Sequence, residues 1–227
     1  MAATPSDSSP DLTESLALGL GVLEPRLADL GLYSESVKNR DCPGPLASVC
    51  RCGEALCIPA VVVTPVPAER VATAVRAVWP DIEDNPSWIS LAPESVANLN
   101  ARLRGAAGLP ADATFIDKSF CGRWPGVGDV DVSWSTLVSE LSDGGDDEAW
   151  AEELGTYIVC QLAWGGHVPA LGLTTGWLLA SGLRLAQGLD VFAPDPGRAD
   201  QFLAALDGAR PGVWDTESVR GMWPDRC

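Results

Sequence analysis

Positive charge is scarce in this chain. Its 227 residues hold 15 Lys plus Arg against 31 Asp plus Glu, a formal net charge of −16. Binding to nucleic-acid phosphates requires a basic surface, so this balance argues against a DNA or RNA partner, and equally against a polybasic membrane patch. Histidine occurs once, at His167. The seven cysteines contain no Cys-x2-Cys pair, the commonest element of a zinc site. No long uninterrupted apolar run occurs either. The most apolar stretch, Val168 to Ala186, is about the length of a membrane span, but Arg184 lies within it and Gly and Thr break it. A buried helix is the expectation there. Met1 to Pro10 is polar, carries Asp7 and lacks a basic region, so it does not read as a signal peptide. These absences predict a soluble, cytoplasmic protein with reduced cysteines (Cys42, Cys50, Cys52, Cys57, Cys121, Cys160 and Cys227).

Apolar residues are plentiful, at 46%, enough for one domain with a real core. Residues 1–10 read as a disordered leader, 11–206 as a helical domain and 207–227 as a C-terminal tail. Arg far outnumbers Lys, and Ala, Gly and Pro are abundant. That pattern fits the codon bias of a GC-rich genome, of a high-GC bacterium or a large DNA virus.

Hydrophobic spacing places the elements. Leu12, Leu16, Leu20, Leu23 and Leu27 predict a helix over 11–30 with a break near Pro25. Ala55 to Val66 is β-branched and rich in Pro, which predicts a short strand over 58–64. Val71, Val75 and Val78 predict a helix over 68–79, stopped by Pro80 and followed by a turn-rich link over 81–92. Pro93 to Arg104 reads as a helix with Val96, Leu99 and Leu103 inward and Gly105 at its end. Phe115, Ile116, Phe120 and Trp124 are candidate core anchors. Further helices are expected over 131–141, 146–164, 169–189 and 198–206.

The richest motif runs from Val132 to Gly145. Ser133-Trp134-Ser135-Thr136 opens an amphipathic turn, Leu137, Val138 and Leu141 follow, and Gly144-Gly145 closes it. Downstream, beyond an intervening helix from Leu154 to Leu162, Trp164 is followed by Thr175-Gly176-Trp177 at the head of another apolar helix. Over about Asp131 to Leu183 this arrangement resembles the BH1 and BH2 regions of the Bcl-2 family of apoptosis regulators. The sequence departs from the family pattern at Thr136, where the family has the arginine that pairs with the incoming BH3 aspartate.

The resemblance implies a mainly α fold, a Bcl-2-like helical bundle of the divergent kind that large DNA viruses carry. It implies a non-enzymatic protein that modulates host apoptosis or innate immune (inflammatory) signalling. The partner would be a host protein offering a BH3-type amphipathic helix, and a homodimer through the same face is the other arrangement the family shows. The partner-binding groove would use Trp134, Leu137, Val138 and Leu141, with Trp177 buttressing its floor. The alternative is a viral structural, tegument-type interaction module without a BH3 groove, assembling through tryptophans such as Trp214 and Trp223.

No catalytic residue, metal site or cofactor is assigned. The spacing Cys42-x7-Cys50-x-Cys52-x4-Cys57 could supply four thiolates, but free or buried thiols are the simpler reading. Cys160 and His167 could be drawn as a nucleophile pair, yet Cys160 falls in mid-helix on an apolar face. Gly126-Val127-Gly128 lacks the Lys of a phosphate loop. The acidic run from Asp143 to Glu153 lacks the alternation of a calcium loop and suits a helix N-terminus.

Overall fold

The computed structural model describes residues 11–27, 50–52, 55–57, 65–116, 120–124, 128–132, 134–135, 138–139, 148–164 and 167–208. These are mainly helical. Among them are six α-helices: α1 (Leu12–Arg26), α2 (Ala68–Asp84), α3 (Pro93–Ala106), α4 (Glu148–Trp164), α5 (Gly172–Ala186) and α6 (Ala199–Gly208). Two antiparallel hairpins accompany them. One pairs Cys50–Cys52 with Ala55–Cys57, and the other pairs Phe120–Trp124 with Gly128–Val132. The strand expected over 58–64 lies outside the described residues.

The arrangement centres on α5. Twelve of its fifteen residues are buried, and it touches α1, α2, α3 and α4. Its sequence permits this because small residues let a neighbouring backbone approach. A Cβ on Gly172 would sit 2.1 Å from the Leu162 carbonyl oxygen, and one on Gly176 would sit 3.0 Å from the Val159 Cα. Helix α4 can therefore lie closer to α5 than larger side chains would allow. Leu171, just before α5, holds a left-handed backbone (φ 57°). That conformation costs about 1–2 kcal/mol in a residue with a Cβ. It is retained with the Leu171 side chain fully buried and its carbonyl accepting from both the backbone N–H and the hydroxyl of Thr175.

Helix α2 shows the amphipathic spacing most plainly, burying Val71, Ala74, Val75, Val78, Trp79 and Ile82. It does not stop at Pro80, as the sequence suggested, but runs on to Asp84. A proline in a helix interior costs about 3 kcal/mol, whereas fully burying an Ile contributes about 1.5–3 kcal/mol. Ile82 is completely buried beside Gly182 of α5, and that contact lies beyond the proline. The supposed link over 81–92 thus contains the last turn of α2 and a short 3-10 turn, Pro86–Trp88. Helix α1 ends at Arg26, one residue past Pro25 and so close to the expected break. Helix α3 continues two residues past Arg104. Its terminating glycine is Gly108 (φ 70°), with Leu109 N–H bonded back to the Arg104 carbonyl in a Schellman-type closure.

The helix expected over 131–141 starts later, because Asp131 and Val132 belong to the second hairpin. Residues 134–135 and 138–139 are helical. Helices α4, α5 and α6 fall within a few residues of their expected spans.

Most described arginines are engaged inside the molecule. Arg26 pairs with Asp200, Arg76 with Glu14, and Arg102 with Asp81 while stacking over Trp88. Arg104 is buried and donates to Asn100 Oδ1 and to the carbonyls of Pro110 and Asp112. No helix among the described residues is long and apolar enough to cross a membrane.

Candidate functional site

The residues around Trp134 form the candidate site. The indole is 1% exposed, and its N–H donates to the Leu91 carbonyl at 2.8 Å. Phe115 meets it edge-on at 5.6 Å and His167 at 5.7 Å, while Phe115 and His167 stack nearly parallel at 5.3 Å. Such edge-to-face and offset pairs each contribute about 0.5–1.5 kcal/mol beyond their burial. The backbone then closes on the ring. Ile116 N–H donates to the His167 carbonyl, and His167 Nδ1 donates to the Ile116 carbonyl, both at 2.9 Å. The single histidine is therefore a buried clasp joining the segment after α3 to the turn before α5.

Apolar side chains of the segments that meet here are only partly covered. Leu91, Phe115 and Val138 are half-buried and pack on the core, and Ile116 is 45% exposed. Ile116 was a candidate core anchor in the sequence; its backbone is engaged with His167 while its side chain reaches solvent. The side chains of Phe120 and Trp124 lie outside the described set.

Of the five predicted groove residues, Trp134 and Trp177 are core residues and Val138 lies at the half-buried rim. Leu137 and Leu141 lie outside the described residues. Trp177 sits on α5, 2% exposed, with its N–H donating to the Phe192 carbonyl at 3.0 Å and Phe202 of α6 edge-on at 5.6 Å. A separate shallow cleft of about 610 Å³ opens between α2, α3 and the segment after α3. Ala77, Asn98, Ala101, Arg102 and Gly105 help to line it, and none of the five predicted groove residues does.

Cys160 and His167 do not form a nucleophile pair of the activated kind. Burial pushes the Cys160 thiol up to about 12, so it stays protonated at neutral pH. Among the described residues no group of three His, Cys, Asp or Glu is placed to hold a metal ion. Of the four clustered cysteines, Cys42 lies outside the described residues and the other three belong to the first hairpin.

Sequence reasoning passed over two buried polar positions. Glu24 (6% exposed) accepts from Thr174 N–H at 2.6 Å and from the Thr174 hydroxyl at 2.8 Å. Asn100 (fully buried) donates to the Ala170 carbonyl at 2.6 Å and the Thr175 hydroxyl at 2.9 Å, while its own oxygen accepts from Arg104. Both were visible as polar interruptions of an apolar stripe, Glu24 four residues after Leu20 and Asn100 four after Val96.

No protein-family model matches this chain, and no curated protein or solved structure matches it.

Proposed function

We propose that this chain is a non-enzymatic, helix-binding protein with a Bcl-2-like bundle, modulating host apoptosis or innate immune signalling by accepting a BH3-type amphipathic helix. The observation that supports this reading is the aromatic cluster of Trp134, Phe115 and His167, joined by the Leu91 and Ile116 backbone, in segments where Leu91, Phe115 and Val138 are half-buried and Ile116 is exposed. A helix laid there would bury apolar side chains against aromatic rings that are already packed and hydrogen-bonded, which lowers the ordering cost of binding. In this reading Trp134 is the floor of the groove rather than one of its walls. The apolar α5, wrapped by the other helices, is the kind of centre a Bcl-2-like bundle requires. The strongly acidic chain favours a partner helix whose polar face is basic.

Titration of the full chain with a panel of BH3 peptides tests the reading. Saturable binding is expected, with Val138→Asp abolishing it while far-UV helicity is unchanged. If no peptide binds, or if Val138→Asp binds as the parent does, the reading fails.

A further inference from the structure

Four of the seven cysteines fall between positions 42 and 57. Their spacing alone does not say which of them could be joined. The register of the first hairpin narrows the choice. Its strands pair antiparallel, with Cys50 directly opposite Cys57, Arg51 opposite Leu56 and Cys52 opposite Ala55. Opposed residues share one face of a β-ribbon, as do residues two apart on a strand. Cys50, Cys52 and Cys57 therefore fall on one face, and Arg51 and Leu56 on the other.

Distance then separates the three. A disulfide needs Cα atoms about 4.4–6.8 Å apart. Directly opposed positions of an antiparallel pair stand about 4.5 or 5.5 Å apart, inside that window whichever kind of pair they form. The diagonal from Cys52 to Cys57 spans about 7–8 Å, outside it. Cys50 and Cys52, on one strand, stand about 6.5 Å apart, at its far edge.

We propose that Cys50 and Cys57 are a reversible thiol pair, joined across the hairpin by low-molecular-weight disulfides and reopened by the corresponding thiols, with Cys52 not taking part. One cysteine thiolate attacks the small disulfide, forms a mixed disulfide and expels one small thiol. The opposed cysteine then attacks the protein sulfur of that mixed disulfide and expels the second. Two protein thiols and one small disulfide thus become one protein disulfide and two small thiols, the two protein protons ending on the expelled sulfurs. The bond pins the register of a two-stranded ribbon of three residue pairs, which is marginal on its own.

Mass mapping of the full chain after equilibration with oxidised glutathione tests the pair. The protein is alkylated under denaturing conditions and cut with trypsin. Cleavage after Arg51 sends Cys42 and Cys50 into the peptide 41–51, and Cys52 and Cys57 into 52–70. The expected product is 41–51 joined to 52–70, with fragmentation placing the bond between Cys50 and Cys57 and with two alkyl groups lost relative to the reduced protein. That product should persist in Cys52→Ser and vanish in Cys50→Ser. Reduced glutathione should restore both alkylation sites in the parent. A bond from Cys52 to Cys57, a bond made by Cys42, or glutathione retained on Cys50 or Cys57 with no bond between them overturns the proposal. Should a serine variant fail to fold, the fragment map of the parent decides by the same criteria.

Discussion

Trp134 and Trp177 are chemically the same residue, equally buried, and each donates its indole N–H to a backbone carbonyl. Their surroundings differ. Trp177 stands on a regular helix buried on nearly every side, with Phe202 of a second helix against it. Trp134 stands outside the six main helices and is held by Phe115 and His167, beside a backbone clasp to Ile116, whose side chain is exposed. Two equally buried indoles therefore sit in different settings, one within a regular helix of the core and one where three separate segments meet, and the proposed groove rests on that difference.

The comparison breaks most directly on truncation. Replacing a buried tryptophan by alanine costs about 3–5 kcal/mol. Trp177→Ala is expected at the upper end and Trp134→Ala at the lower, because partly covered neighbours can collapse into the space. Urea denaturation would measure both, and an equal or reversed order would erase the distinction. Next in size is Asn100→Ala, which strips partners from a hydroxyl, a carbonyl and the buried Arg104 together. A loss of about 1–3 kcal/mol is expected for it, with no change in peptide binding, since none of these groups lies at the Trp134 rim. The smallest effect on stability belongs to Ile116→Asp. A substitution at a half-exposed side chain should stay within about 0.5 kcal/mol, yet peptide affinity should fall sharply. A stable Ile116→Asp protein that still binds would separate the rim from the function proposed for it.

Much of the scaffold was legible in the sequence, and the reasons are local. Helices α3 to α6 announce themselves by apolar spacing, by Pro93 at an entry position and by the acidic start of α4. The misjudged stop at Pro80 shows where local rules give way: the residue that carries α2 past the proline, Ile82, is held by Gly182, a hundred positions away. The hairpin that takes Asp131 and Val132 from the expected helix likewise depends on pairing with Phe120 and Cys121 rather than on spacing. Of the candidate site, the importance of Trp134 could be read from its place at the head of a motif. Its partners could not, because Leu91, Phe115 and His167 come from three separate stretches and nothing in their spacing ties them together. Glu24 and Asn100 stood out as polar residues in apolar stripes, but what they hold, Thr174 and Thr175, is set by the packing of α1 and α3 on α5.

The way the arginines are spent has an outward effect. Arg26, Arg76 and Arg102 each neutralise one carboxylate and Arg104 is turned inward to carbonyls, while across the sequence acidic residues outnumber basic ones by 31 to 15, so the acidic excess remains. An approaching cationic peptide would be drawn in over a distance of about 10 Å at 0.1 M salt. Its arrival rate would drop steeply as ions are added, while the same ions, by quieting repulsion among the carboxylates, would make the folded chain harder to melt.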